Sequence, residues 1–118
     1  MGGPAAASHA FAEAINRGDA AGAVACWTDD AVLVGADGGT ARGGIELRSR
    51  FDQLVDAGVR LEIAVARVVV AGRVAMAATR MAMSSAHATA PLTLDGTVVY
   101  TCAGSEWRIA VDRVEPVV

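Results

Sequence analysis

Apolar residues recur at three- and four-residue steps in the first half of the chain and at two-residue steps in the second. From Pro4 to Arg17, Ala7, Ala10, Phe11, Ala14 and Ile15 form one stripe, the mark of an amphipathic helix. Gly18 suits the left-handed position that ends a helix. Asp19 can cap a second short helix through about Trp27, because its carboxylate accepts orphan backbone N–H groups. Thr28-Asp29-Asp30 reads as a turn, Ala31 to Val34 as a short strand, and Gly35 to Gly39 as its closing loop. Gly43-Gly44 precedes a third helix from about Ile45 to Ala57. There Leu47, Phe51 and Leu54 share a buried face at i, i+4 and i+7, and Gly58 stops the helix.

The second half reads as strands. Val59 to Val70 alternates, with Val59, Leu61, Ile63 and Val65 on one face. Ala71-Gly72-Arg73 is a tight turn into a strand from Val74 to about Ser84. A loop follows to Pro91. Leu92 to Cys102 is the next strand, with an interruption expected near Asp95-Gly96. Ala103 to Glu106 turns the chain, and Trp107 to Val114 closes the sheet. The predicted order is α-α-β-α-β-β-β-β. Short turns between consecutive strands require antiparallel pairing. Helices segregated from the sheet make the class α+β. A curved sheet with helices over its concave face would enclose one pocket.

Composition narrows the function classes. The 118 residues are 53% apolar and 19% charged, with a formal net charge of −3. That excludes disorder. The apolar run of Val68 to Gly72 is closed by Arg67 and Arg73, far short of the ~20 residues of a spanning helix. All ten basic residues are Arg, and the Ala-, Gly-, Val- and Arg-rich balance is what a GC-rich bacterial genome favours. The Arg residues interleave with acids, as in Glu46 to Asp52, so neither a basic patch for nucleic acid nor a membrane partner is expected. Cys26 and Cys102 stand outside any CxxC motif and read as buried free thiols. With only His9 and His87 to help, no metal site is expected. The glycines of Gly35 to Gly44 lack the phosphate-loop pattern, so no cofactor is expected. The N-terminus has no charged n-region and too short an apolar run for a signal peptide, which places the chain in the cytoplasm.

Four segments carry a resemblance. Phe11-Ala-Glu-Ala-Ile-Asn-Arg-Gly-Asp19 resembles the opening of the nuclear transport factor 2-like superfamily, which includes ketosteroid isomerases and SnoaL-like proteins. Trp27-Thr-Asp-Asp-Ala-Val-Leu-Val34, Gly44-Ile-Glu-Leu-Arg48 with Phe51, and Trp107-Arg-Ile-Ala-Val-Asp112 resemble its later segments, in the same order. The resemblance implies one cystatin-like domain over residues 1–118. Its fold would be a cone-shaped, curved antiparallel sheet wrapped around the N-terminal helices, with a hydrophobic pocket at the open end. It also implies a homodimer through the outer sheet face and a small hydrophobic ligand in the cone. The Tyr of the ketosteroid isomerases falls on Phe11, their base near Gly35, and their second Asp near Thr97. None of these can shuttle a proton, so that isomerase activity is not expected. The limonene epoxide hydrolases use one Arg and two Asp residues; one of each is too few here, so that reaction is not expected either.

Asp112 is the leading candidate for chemistry. Strict alternation puts it on the face of Arg108, Ala110 and Val114, which the resemblance turns into the cone, with Trp107, Ile109 and Val111 opposite. A carboxylate in an apolar pocket is costly unless paired. Arg80 is the expected partner, because Met76, Ala78, Arg80 and Ala82 share a face taken as concave. Asp112 and Arg80 are then a proton carrier and its orienting cation, or a structural ion pair. The expected pocket lining is Phe11, Trp27, Thr97, Thr101, Ala110 and Val114. Tyr100 is expected to face outward, and His87 to be an exposed loop residue. The resemblance and these residues together imply a SnoaL-like pocket protein for a small hydrophobic molecule; if it is an enzyme, cofactor-free isomerase- or cyclase-type acid/base chemistry is expected. The alternatives are a non-catalytic binding module and a dimerisation scaffold whose pocket is closed by side chains.

Overall fold

A computed structural model describes residues 2–87 and 90–117. Helix α1 spans Ala5–Asn16 and buries Ala7, Ser8, Phe11, Ala12, Ala14 and Ile15. Ala7, Phe11, Ala14 and Ile15 of the expected stripe are buried, while Ala10 is exposed and Ser8 and Ala12 join the buried face. At its end Asn16 clamps β3 (Arg60–Ala71): Nδ2 donates to the Leu61 carbonyl at 2.9 Å, and the Leu61 N–H donates to Oδ1 at 2.7 Å. Helix α2 is Ala20–Ala25, capped by Asp19 Oδ1 accepting from the Gly22 N–H at 2.8 Å. That bond holds the Asp19 carboxyl below its ordinary pKa.

Strand β1 runs Trp27–Val34, so Thr28 to Asp30 are strand rather than turn. A register irregularity between Trp27 and Val32 leaves Asp29 and Asp30 exposed while the strand continues. A strand too short to show alternation, β2 (Thr40–Arg42), pairs with β1 and leads into α3 (Gly43–Asp56). The remaining strands are β4 (Val74–Ser84), β5 (Leu92–Ala103) and β6 (Glu106–Pro116). The loop expected from Ser84 to Pro91 contains positions 88 and 89, which lie outside the described residues; His87 is exposed. The sheet order is β2-β1-β6-β5-β4-β3, antiparallel except for the parallel pair β1–β6. The α+β class and the predicted order hold, with β2 added. Strand β5 runs unbroken through Asp95-Gly96, which pair with Arg80 and Thr79.

Helices cover one face of this sheet. Phe11, Trp27 and Phe51 meet there with ring centroids 5.0 to 5.5 Å apart, within the range for favourable aromatic pairs. Strand β4 turns Ala75, Ala77, Met81 and Met83 toward the helices, and β5 turns Leu94, Val98 and Tyr100. Tyr100 is therefore inside, fully buried, and its hydroxyl lies 2.7 Å from that of Ser8. Burial raises its pKa. Strand β6 changes sides. Val99 pairs with Val111 but Tyr100 pairs with Ile109, so Ala110 is an extra, bulged residue. Trp107 and Ile109 pack toward the core before the bulge, and Asp112 and Val114 do so after it. The expected grouping of Asp112 with Arg108 and Ala110 fails because strict alternation breaks at this residue.

The opposite face carries an apolar row. Val69, Met76, Val99, Val111 and Val32 are successive register partners across five strands. Val69, Met76 and Val111 are exposed, and Val99 and Val32 are half-buried.

Candidate functional site

Between the helices and the inner sheet face lies a cavity of about 320 Å³. Phe11, Trp27, Phe51 and Leu54 line its helical side and Leu61, Met81, Met83 and Leu94 its sheet. Asp112 and Val114 enter from β6, and Gly35, Ala36, Asp37 and Arg50 stand along the loop after β1 and α3. Apolar walls with a few placed polar groups are the usual makeup of a small-molecule site.

Asp112 is the polar group of the β6 wall. Its Oδ1 is buried and has no hydrogen-bond partner. Burial pushes its pKa up to about 7, because a low-dielectric surround disfavours the charged form. Gly96 makes room for it: a Cβ at that position would stand 3.3 Å from Asp112 Oδ1 and 2.5 Å from Thr79 Oγ1. The Trp27 indole nitrogen is likewise buried without a partner. Three residues able to exchange a proton or hold a charge thus line the cavity: Asp37, Arg50 and Asp112.

Arg80 is not among them. It lies on the outer face, with its side chain 62% exposed, and grips Asp95 through two contacts, Nε–Oδ1 at 2.8 Å and Nη2–Oδ2 at 3.1 Å. That bond holds the Asp95 carboxyl below the usual carboxylate range and raises the Arg80 pKa. The expected Asp112–Arg80 pair is therefore replaced by Arg80–Asp95. The odd-numbered residues of β4, not the even-numbered ones, face the helices, which puts Met76, Ala78, Arg80 and Ala82 outside. Of the expected lining, Phe11, Trp27 and Val114 border the cavity. Thr97 and Thr101 do not, because β5 turns the residues beside them, Val98 and Tyr100, inward; Thr97 is exposed. Ala110, the bulged residue, also stands away from the lining. Both thiols are free and half-buried, and burial raises the Cys26 pKa. Among the described residues no three His, Cys, Asp or Glu side chains gather to hold a metal ion.

Arg50 and Asp37 escaped the sequence reading. For Arg50 a signal existed: it sits three residues after Leu47 and four before Leu54, on the same helical stripe as the buried apolar residues. Asp37 Oδ1 accepts the Gly39 N–H at 2.8 Å, which shapes the Gly35 to Gly39 turn. A Cβ at Gly35 would lie 3.2 Å from Asp37 Oδ1 and 3.3 Å from Arg50 Nη1, so the bare glycine lets both side chains reach the cavity edge.

Comparison with known proteins bears on the fold. Residues 8–110 match the family described as SnoaL-like domain. A domain of unknown function with a cystatin-like fold from Nostoc punctiforme superposes with a TM-score of 0.83 at 22% identity, covering 96% of this chain and 74% of that one. A ketosteroid isomerase-like protein from Erwinia carotovora atroseptica gives 0.81 at 21% identity, covering 98% and 94%. An NTF-2 like protein of unknown function from Shewanella oneidensis gives 0.80 at 16% identity, covering 94% of each chain. No curated protein matches the sequence. At these identities the likeness is one of fold, and fold alone does not assign a reaction.

Proposed function

We propose that this chain, which belongs to the SnoaL-like domain family of the nuclear transport factor 2-like superfamily, binds a small, largely apolar molecule in its cavity and carries out cofactor-free acid/base chemistry on it through Asp112. The observation that carries this reading is the Asp112 carboxyl on an apolar cavity wall, with its Oδ1 unpartnered and its pKa raised to about 7. A general acid/base works best with a pKa near the operating pH, and strongly shifted pKa values in a cleft cluster at functional sites. Arg80 has no part in this chemistry, since it serves the outer face.

The test begins with the ligand. Native mass spectrometry of the purified protein identifies a co-purified small molecule, which is then incubated with the protein in D₂O. Deuterium should enter an acidic C–H position with the wild type and not with Asp112→Asn. Exchange that survives the substitution removes Asp112 from the chemistry. Binding with no exchange in either protein leaves the non-catalytic binding module as the function.

The row of Val69, Met76, Val99, Val111 and Val32 supports a second part of the reading, a homodimer through the outer sheet face. Contiguous exposed apolar surface is uncommon on monomers, and a second copy offers the same row. Sedimentation velocity should give a dimer that Val111→Arg converts to monomer. Two unpaired thiols favour a reducing setting such as the cytoplasm.

A further inference from the structure

Resting on that pocket reading, we propose that the cavity selects an anionic ligand, a small apolar carboxylate whose charged end is received by Arg50. Asp37, Arg50 and Asp112 are the ionisable side chains that line the cavity, and Arg50 is the cation among them. Its neighbours on α3, Leu47, Phe51 and Leu54, point into the core or the cavity wall. An arginine on that stripe would ordinarily be tied to a carboxylate. Arg48 is tied in this way to Asp52 across one helical turn, at 3.1 Å. Arg50 forms no ion pair or side-chain hydrogen bond among the described residues.

The guanidinium is held at the cavity by what is missing beside it. Its Nη1 lies 3.3 Å from the point a Gly35 Cβ would occupy. Five N–H donors in a planar fork fit a carboxylate better than any other common ligand group. Asp37 approaches the same point at Gly35, its Oδ1 3.2 Å from it, but that oxygen already accepts the Gly39 N–H and makes no ion pair with Arg50. Burial pushes the Asp112 pKa up to about 7, so at neutral pH it carries only part of the negative charge that an ordinary aspartate would set against an anion. The distances suit a small molecule. Asp112 is the register partner of Leu33, and Gly35 follows two residues later, just past the end of β1 at Val34, within the roughly 7 Å reach of two extended residues. A ligand of ordinary metabolite size can therefore touch Arg50 and Asp112 together.

The test uses three probes that differ in one group: 4-phenylbutanoate, 4-phenyl-1-butanol and 4-phenylbutylammonium. Their binding to the wild type and to Arg50→Gln is measured by calorimetry, with a thermal melt to confirm that the variant is folded. We expect the carboxylate to bind the wild type at least about tenfold more tightly than the alcohol, as a charge-assisted hydrogen bond allows. Arg50→Gln should erase that ratio and leave the affinity for the alcohol unchanged. Equal affinity of alcohol and carboxylate for the wild type, or a carboxylate preference that survives in Arg50→Gln, overturns the anion assignment while the apolar pocket stands. Tightest binding of the ammonium probe overturns it in favour of Asp37. If none of the three binds, the anion assignment fails together with the pocket reading itself.

Discussion

Two aspartates on neighbouring strands of one sheet meet opposite fates. Asp95 on β5 faces outward, half-exposed, and is gripped by Arg80 through two contacts. Asp112 on β6 faces inward and leaves a carboxyl oxygen buried and unpartnered. The pair holds the Asp95 pKa down, and burial pushes that of Asp112 up to about 7. The side chains are chemically identical, so which face of the sheet a residue occupies sets the pH range in which it gives up its proton. Water and a guanidinium stabilise one carboxylate. The cavity wall offers the buried Oδ1 of Asp112 no partner, which favours the protonated form.

The largest consequence of the difference is its effect on stability as pH changes. An unfolded aspartate titrates near pH ~3.9, well below the folded value of about 7 for Asp112. Between those values the unfolded chain has released a proton that the folded chain keeps. The fold therefore loses stability as pH rises through this window, by up to ~1.4 kcal/mol for each unit and ~4 kcal/mol across it. Above the folded pKa the loss is complete and the slope vanishes. Asp95 acts in the opposite sense, contributing stability above its unfolded pKa that is lost on acidification. We expect urea midpoints of wild type and Asp112→Asn to diverge steadily from pH 4 to pH 7 and then run parallel, with the variant gaining relative to wild type. Parallel midpoints over the whole range would mean that Asp112 ionises freely in the folded protein.

The same two residues explain what was legible in the sequence. The helices were, because Phe11 with Ile15, and Leu47 with Phe51 and Leu54, contrast sharply with their polar neighbours, and the strand order followed from tight turns. The inner face of β4 was not. Ala75 and Ala77 lie on one side and Ala78 and Ala82 on the other, so alternation there carries no contrast. The charge of Arg80 was the better guide to the outside. In β6 alternation misled through the extra residue Ala110, since a bulge changes side-chain direction without changing composition. The resemblance does turn Asp112 inward together with Val114, but strict alternation wrongly adds Arg108 and Ala110, which precede or form the bulge. The pairing of Asp112 with Arg80 failed because a partner depends on the register of three strands at once. In β5, Leu94, Val98 and Tyr100 share even-numbered positions, a parity that points Thr97 and Thr101 outward.

A smaller effect distinguishes a satisfied inner polar group from the unsatisfied one. The Tyr100 hydroxyl lies against the Ser8 hydroxyl at 2.7 Å, both within the core. Tyr100→Phe keeps the ring packing and strands the Ser8 hydroxyl, which should cost about 1–2 kcal/mol in denaturant unfolding. Adding Ser8→Ala should recover part of that loss, because both polar partners are then gone. A double variant less stable than Tyr100→Phe would mean that Ser8 has a second partner or an essential packing role.

The smallest effect belongs to the outer pair, despite its geometry. Arg80 and Asp95 make the closest ion pair in the described residues, yet both side chains are about half in water or more. Solvent screens their attraction, and holding two side chains in one arrangement costs entropy. Arg80→Gln should therefore shift the melting temperature little, and the shift should shrink in high salt as screening removes what remains of the attraction. Catalysis measured by the D₂O exchange should not change at all. A large, salt-insensitive loss of stability would instead mean that the proposed dimer interface reaches beyond the row of Met76 and Val111 and buries Arg80 as well. The outer pair would then resemble Asp112 more than it resembles a solvated surface charge, and the contrast between the two faces would hold only for the isolated chain.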